Sequence, residues 1–151
     1  MAERVHLHLS FETRLSPDEV AASLVDFSEH RLALWPNLDP SKFEVHEAGP
    51  GFAVVTEGSA EPDVWARERY EWAGSRVTIT ALESNFCVPG DGTRIEITPG
   101  TDGGSAIELD WEREAAAPEW QPIMDAMAQD GEVFLLAAYR DRWDELADEA
   151  K

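Results

Sequence analysis

Cysteine and long apolar runs are scarce in this sequence, and both scarcities limit what the protein can be. Cys87 is the only cysteine in 151 residues, so no disulfide can form within the chain, and a reducing compartment such as the cytoplasm is expected. No apolar run approaches the roughly 20 residues that a membrane-spanning helix needs. Charged residues also interrupt the stretch after Met1, so no secretory signal is expected.

Basic residues are scarce as well. The chain has 12 lysines and arginines against 31 aspartates and glutamates, which gives a formal net charge of −19. Proteins that bind nucleic acid neutralise phosphates with clustered basic side chains, so neither nucleic acid nor an anionic membrane surface is an expected partner. Solubility explains such a charge most simply. An acidic surface that docks a basic protein is the alternative.

The apolar content, in contrast, is that of a folded domain. Hydrophobic residues make up 43% of the chain and include six tryptophans and six phenylalanines, which excludes a disordered acidic tail. A chain of this length usually forms one domain, here residues 1–151, and buries roughly 70% of the surface of its unfolded state. It therefore needs no disulfide, metal or cofactor in order to fold.

The N-terminal part predicts one strand and one or two short helices. Apolar and polar residues alternate over Val5–Glu12, a period of two that is typical of a half-buried strand. Ser16-Pro17-Asp18-Glu19 then supplies a capping serine, a proline at the first helical position and a glutamate for a capping box, which together begin a helix. A second short helix is predicted over Ser28–Leu34, before Pro36.

Six short strands are predicted in the middle of the chain. Each is an apolar or alternating run, and turn signals rich in glycine, proline and aspartate separate them. No helical pattern of roughly 10–15 residues lies between them, so an antiparallel meander is favoured over parallel βαβ units. The predicted strands are Phe43–His46, Phe52–Thr56, Val64–Trp72, Val77–Ser84, Arg94–Thr98 and Ala106–Arg113.

A long amphipathic helix is predicted after Pro118, and Gly131 within it predicts a kink or a close contact rather than a ligand contact. The seven-stranded antiparallel sheet must cover its apolar face with this helix, so the expected fold class is α+β, with a twisted sheet curled around the helix. A small-molecule cavity is expected between the two layers. The apolar face of the helix is predicted to contain Ile123, Met127, Phe134 and Ala138, widened by Leu135, Tyr139, Trp143 and Leu146.

Three segments of the sequence are similar to those of a known superfamily. They are the strand Val5–Glu12 with the helix start at Ser16, the stretch Glu83-Ser84-Asn85-Phe86 through Pro89-Gly90, and Gly103-Gly104-Ser105 followed by Ile107–Arg113. With the order of elements, they resemble the START-like or SRPBCC superfamily, whose helix-grip fold is also called birch-pollen-allergen-like. More narrowly, they resemble bacterial proteins described as polyketide cyclase/dehydrase.

The resemblance implies a helix-grip fold, a first strand beside the last, and a buried apolar pocket. It implies no particular reaction. The superfamily includes lipid carriers, hormone receptors, cyclases and proteins with no known activity, and a fold by itself does not choose among them.

Glu68 is the candidate polar group of the pocket. Alternation in the strand Val64–Trp72 puts Glu68 on the same face as Tyr70 and Trp72, the more apolar face, which should point at the long helix. Burial raises the pKa of a carboxyl group, so Glu68 is a candidate acid or base near neutral pH, with Tyr70 assisting by hydrogen bonding. The alternative is that Glu68 lies at a rim of the sheet or pairs with an arginine.

Large aromatic and apolar side chains are candidates for the lining of the pocket. Tryptophan and tyrosine each offer a flat apolar face and one hydrogen-bonding group, which suits a planar polycyclic ligand. A core that is filled by the same side chains is an equally good interpretation of the sequence. The predicted ligand-binding residues are Phe52, Tyr70, Trp72, Trp111, Met127 and Phe134.

No metal site and no nucleophile are predicted. His6 and His8 stand two residues apart on one strand face, and the resemblance places acidic residues of the last strand beside them, but that face is expected to be solvated. Cys87 has no adjacent base, which is typical of a small apolar residue. The sequence contains no G-x-S-x-G, P-loop, G-x-G-x-x-G or H-E-x-x-H motif.

These observations together predict a cytoplasmic protein that binds a small hydrophobic or aromatic molecule between its sheet and its long helix. One alternative is a cyclase or dehydratase that acts on a polyketide-like substrate with Glu68 as acid or base. A second alternative is an acidic protein-interaction module. No cofactor is expected, and the oligomeric state stays open, with a homodimer among the alternatives.

Overall fold

The computed structural model describes residues 4–150, and their elements follow the predicted order. Short 3-10 turns at residues 40–42, 101–103 and 118–120 connect some of the elements. The strands and helices are β1 (Val5–Thr13), α1 (Pro17–Val25), α2 (Arg31–Leu34), β2 (Glu44–Gly49), β3 (Phe52–Ser59), β4 (Val64–Ala73), β5 (Arg76–Ser84), β6 (Gly92–Pro99), β7 (Ser105–Arg113), α3 (Gln121–Leu135) and α4 (Asp141–Glu149).

All seven strands form one antiparallel sheet in the order β1-β7-β6-β5-β4-β3-β2. The first strand lies beside the last, with Val5 opposite Arg113 and Thr13 opposite Ser105. Between β4 and β5 the register shifts once, between Arg67 and Glu68. The sheet curls around the C-terminal helix, so the predicted seven-stranded α+β architecture is confirmed.

The two short helices begin where local side chains provide caps. The Ser16 hydroxyl accepts a hydrogen bond from the backbone N–H of Glu19, and Pro17 occupies the first helical position, as predicted. Helix α2 starts at Arg31, three residues later than expected. Ser28 donates its hydroxyl and its backbone N–H to the Asp26 carboxylate, and this Asx turn holds the chain out of the helix there.

The C-terminal helix is continuous from α3 through a π-helical turn at Leu136–Arg140 into α4. Gly131 does not interrupt it. A Cβ atom at this position would overlap the Cδ1 methyl of Leu7, so Gly131 allows the helix to pack closely on β1. Of the interpretations that the sequence favoured for this glycine, the structure shows the close contact.

The buried face of this helix is rotated from the predicted one. Leu135 and Trp143 are buried, whereas Phe134, predicted on the same face, is 59% exposed. Seven apolar residues in succession, from 133 to 139, make the helical period ambiguous there. The contact between Gly131 and Leu7 selects the rotation that turns Phe134 outward.

Trp143 anchors the helix in the core. Its side chain is fully buried, its indole N–H donates to the Ser23 hydroxyl on α1 at 2.9 Å, and its ring lies 6.2 Å from that of Phe11 on β1. Helices α1 and α4 are thereby held on the sheet. None of the helices within residues 4–150 is long and apolar enough to cross a membrane.

Candidate functional site

A cavity of about 480 Å³ lies between the inner face of the sheet and the C-terminal helix. Its walls come from α2 and the loop after it, from β3, β4, β6 and β7, and from residues 134–145 of the helix. The sequence left open whether aromatic side chains fill this space, and in the structure they line it without filling it. Its polar lining includes Arg31, Glu57, Glu68, Tyr70, Arg113 and Tyr139.

Three of the six predicted ligand-binding residues line this cavity. Tyr70 and Trp111 point into it from β4 and β7, and Phe134 lines it from the helix with much of its ring exposed to solvent. Alternation along the two strands accounts for the first two placements.

The other three predicted residues lie outside the cavity. Phe52 is on the opposite face of β3 from the core residues Ala53 and Val55, and the Arg69 guanidinium lies 4.8 Å above its ring. Trp72 shares a face with Glu68 but lies at the far end of β4, against Phe27.

Met127, the third of them, packs against the core near Gly131 and so lies on the β1 side of the helix. Apolar character alone does not tell which face of an outer strand a side chain occupies, or at which end of the sheet it lies. The ligand-binding role predicted for these three residues stays a prediction.

One buried polar cluster joins α2 to the sheet. Arg31, which is only 3% exposed, donates from Nε to Glu57 at 2.8 Å and from Nη2 to the Tyr70 hydroxyl at 2.9 Å. That hydroxyl in turn donates to the Glu57 carboxylate. Arg31 also donates to the backbone carbonyl of Leu24 at 2.8 Å. The Tyr70 hydroxyl is thus committed to protein partners, and burial raises its pKa well above the ordinary value.

Sequence reasoning missed Arg31 and Glu57. Glu57 follows Ala53 and Val55 at a period of two, so a longer β3 would have placed its side chain inward. Arg31 opens a helix of four residues, and nothing in the sequence pairs it with a strand 26 positions away.

A second polar cluster contains Glu68 and Arg113. Glu68 faces the cavity from β4, as alternation predicts, and its Oε2 lies 3.6 Å from Nη2 of Arg113 on β7, the arginine pairing that was the alternative. Among the described residues, no side chain or backbone group donates a hydrogen bond to the Glu68 carboxyl group. Burial raises its pKa to about 7, and Glu57 adds to this effect while Arg113 opposes it.

The donors of Arg113 are only partly used. Arg113 donates to the backbone carbonyl of Glu112 at 2.8 Å and to the Thr93 hydroxyl at 3.4 Å, and its guanidinium lies 5.3 Å from the Trp111 ring. The side chain is buried, with 7% exposure. A guanidinium that is both buried and incompletely bonded is able to accept a further partner from the cavity.

Tyr139 is the other polar side chain of the helix wall, and it belongs to the π-helical turn. Such turns occur frequently at functional sites. Within residues 4–150 its hydroxyl has no hydrogen-bond partner, and burial raises its pKa to about 12. The apolar periodicity predicted Tyr139 on the apolar face of the helix, but no signal in the sequence predicted the π turn.

The predicted histidine pair lies elsewhere, on the outer face of the sheet. His6 and His8 both contact the Asp110 carboxylate, at 3.1 and 2.9 Å, and His8 also contacts Glu108. The hydrogen bond with Asp110 raises the pKa of His8. Over the described range, no group of three histidine, cysteine, aspartate or glutamate side chains is arranged to hold a metal ion. Cys87 is buried, and burial raises the pKa of its thiol, which makes it a poor nucleophile.

Comparison with known proteins establishes the fold. No family model and no curated protein sequence matches this chain. A START superfamily protein from Mycobacterium smegmatis is 14% identical and superposes with a TM-score of 0.72 over 93% of this chain and 98% of that one. The Zhui aromatase/cyclase from Streptomyces sp. R1128 is 15% identical, with a TM-score of 0.75 over 97% of this chain and 94% of that one.

A third solved structure is that of norcoclaurine synthase from Thalictrum flavum in complex with dopamine and hydroxybenzaldehyde. It is 18% identical and has a TM-score of 0.66 over 99% of this chain and 90% of that one. The chain therefore has the helix-grip fold of the START/SRPBCC superfamily, which confirms the resemblance seen in the sequence. A polyketide aromatase/cyclase is among the proteins that share the fold, and at these identities the likeness assigns no reaction to this chain.

Proposed function

We propose that this protein binds a small hydrophobic or aromatic ligand in the cavity between the sheet and the C-terminal helix. A volume of about 480 Å³ falls within the range of roughly 300–1,000 Å³ that is typical of small-molecule sites. Trp111, Phe134 and Tyr139 supply flat apolar surface, and burial of apolar ligand surface against them is the driving force.

The observation that carries this proposal is the state of the polar groups at the cavity wall. The Glu68 carboxyl group and the Tyr139 hydroxyl face the cavity without a hydrogen-bond donor or acceptor among residues 4–150. Both side chains are partly open to the cavity, so the partner of each polar group has to come from the cavity itself. A bound ligand would supply the missing one and would be oriented by it.

The test is to fill the cavity with a tryptophan side chain and to measure the binding of 2-naphthol by calorimetry. Ala138 lines the cavity, whereas Ala128 is exposed on the same helix, so Ala138→Trp and Ala128→Trp form a matched pair. We expect Ala138→Trp to weaken binding at least tenfold and Ala128→Trp to bind as the natural chain does. Ala137→Trp, at another lining position, serves if Ala138→Trp fails to fold by circular dichroism.

Two results would contradict the proposal. One is equal binding by the cavity-filling variants and by Ala128→Trp, because the probe would then occupy another place. The other is no binding by the natural chain together with native mass spectra, recorded after purification from its own cells, that repeatedly lack a retained small molecule.

A second candidate function is an enzyme of the polyketide cyclase or dehydratase type, in which Glu68 removes or donates a proton. It is favoured by one observation, the inward carboxyl group whose pKa is about 7, since a general base works best when its pKa is near the working pH. In this function Tyr70 was predicted to assist, but its hydroxyl is engaged with Glu57 and Arg31, so Tyr139 is the better placed donor.

Exchange of a carbon-bound proton tests this chemistry directly. A soluble 1,3-diketone in deuterium oxide would lose a proton from its central carbon to Glu68, and the enolate would then take up a deuteron, which NMR detects. We expect the natural chain to accelerate the exchange and Glu68→Gln to abolish the acceleration while it retains binding. Equal acceleration by both proteins would exclude Glu68 as the base.

A further inference from the structure

The two buried arginines of the cavity differ in how completely they are paired. Arg31 is bonded through Nε and Nη2 to a carboxylate and a tyrosine hydroxyl, and its Nη1 reaches backbone carbonyls at the C-terminal end of α1. Arg113 has a carboxyl oxygen only at 3.6 Å, beyond hydrogen-bonding distance, and a weak contact to Thr93. Arg31 therefore belongs to the framework, whereas Arg113 presents unused donors to the cavity.

One of the two positive charges at the cavity lacks a permanent counter-charge. Arg31 and Glu57 neutralise each other through direct hydrogen bonds. Arg113 is neutralised only while Glu68 is ionised, and that carboxyl group is close to half-protonated at neutral pH. When Glu68 carries its proton, a buried guanidinium is left without a counter-charge, which is costly unless an anion binds to it.

From this geometry, and resting on the proposed function, we infer that the ligand is a hydrophobic carboxylic acid whose carboxylate binds the Arg113 guanidinium while the protonated Glu68 donates a hydrogen bond to it. A guanidinium presents a planar fork that matches a carboxylate. The apolar part of the acid lies against Trp111 and the helix wall. Binding of the anion is therefore coupled to the uptake of one proton by Glu68.

The arginines, tyrosines and cysteine around Glu68 do not titrate between pH 6 and pH 8. Arginines stay protonated there, and burial raises the pKa of each neighbouring tyrosine and of the Cys87 thiol. Glu57 is hydrogen-bonded to Arg31 and Tyr70 and has no contact with Glu68 that titration of Glu68 would break. The groups that face Glu68 are Arg113 on β7, Glu57 on β3, Arg31 on α2, Tyr70 on β4, Tyr139 on the helix and Cys87 after β5.

The sign of the pH dependence follows from this coupling. The binding-competent form has Glu68 protonated, and with a pKa of about 7 that form falls from about nine-tenths of the protein at pH 6 to about one-tenth at pH 8. Affinity for a carboxylate should therefore decrease about tenfold over this interval. Affinity for a neutral ligand of the same shape should not change in this way.

The test compares 2-naphthoic acid with 2-naphthamide, which share a ring system and differ in charge. Calorimetry at pH 6 and pH 8, in buffers of different ionisation enthalpy, measures affinity and proton uptake together. For the acid we expect about tenfold weaker binding at pH 8, with close to one proton taken up there. For the amide we expect the same affinity at both pH values and no proton uptake.

Two variants separate the roles of the pair. Glu68→Gln keeps position 68 uncharged at every pH and leaves the Arg113 guanidinium without a counter-charge, so the acid should bind at pH 8 as it does at pH 6, without proton uptake. Arg113→Gln should lower the affinity for the acid at least tenfold at pH 6 and should change the affinity for the amide by less than about threefold.

The outcomes distinguish this inference from the proposed function. If the amide binds as tightly as the acid at pH 6 and neither takes up a proton at pH 8, the inference is overturned and cavity binding stands. If neither compound binds the natural chain or the Glu68→Gln variant, both the inference and the proposed ligand-binding function fail for ligands of this size.

Discussion

Glu68 gives the most direct test of the electrostatics of the cavity, because its replacement by glutamine changes a charge and little else. The two side chains have almost the same size and shape. Glu68 faces the cavity from β4 with only 13% of its side chain exposed, so water solvates its ionised form poorly. The natural chain must bear the cost of this charge above neutral pH, whereas the variant never does.

The size of the effect follows from the pKa. Burial raises the pKa of Glu68 from an ordinary value of 4.5 to about 7, and each pKa unit corresponds to about 1.36 kcal/mol. The folded protein therefore holds this proton more tightly than the unfolded chain does. As the pH increases from about 4.5 to 7, the natural chain should lose about 3 kcal/mol of unfolding free energy relative to Glu68→Gln, and above pH 8 the difference should stay constant.

Urea unfolding at pH 5, 6, 7 and 8 measures this difference, since the many other carboxylates contribute equally to both proteins. Glu83→Gln is the matched control, because Glu83 lies exposed on the neighbouring strand opposite Arg67. The effect of Glu68→Gln is compared with that of Glu83→Gln at each pH, and the difference between the two effects is what burial of Glu68 contributes. If the unfolding free energies of Glu68→Gln and of the natural chain change in parallel with pH, the reasoning is refuted. Water or a shifted Arg113 would then solvate the carboxylate fully.

Two further substitutions test the framework around the cavity, both by urea unfolding. Arg31→Met leaves Glu57 buried without its cation and should cost about 3–5 kcal/mol. The double variant Arg31→Met/Glu57→Leu should recover much of that loss, and a double variant as unstable as the single one would show that the arginine acts through its packing. Gly131→Ala places a methyl group on Leu7 and should cost about 1–3 kcal/mol. Leu7→Val removes the methyl group with which the new Cβ would overlap, so Gly131→Ala should lower the unfolding free energy much less in the Leu7→Val variant. An equal loss in both would show that the cost arises within the helix and not from the contact with Leu7.

Local sequence signals determined much of the architecture. Alternation along Val5–Glu12 and the cap at Ser16 each depend on residues a few positions apart, and both elements form where they were predicted. The glycine and proline turns likewise set the meander, and a seven-stranded antiparallel sheet with one long helix leaves few ways to cover the apolar face. The same alternation placed Glu68 on the inner face of β4.

The identity of the cavity walls was decided by contacts between residues far apart in the chain. The bond between Arg31 and Glu57 spans 26 positions, and Glu68 meets Arg113 only because β4 and β7 curl toward each other. The rotation that turns Phe134 outward is set by the packing of Gly131 on Leu7, a contact between the two ends of the chain.

Periodicity tells which face of an element is apolar, because that depends only on the geometry of the backbone. It does not tell which partner the face meets, how the helix is rotated against it, or whether the side chains of the two layers fill the space between them. Those outcomes depend on the volumes and charges of all the layers at once. The sequence by itself therefore determined the helix-grip fold and the inward position of Glu68, and the tertiary structure alone decided that an open cavity remains, with Arg113 and Tyr139 facing it.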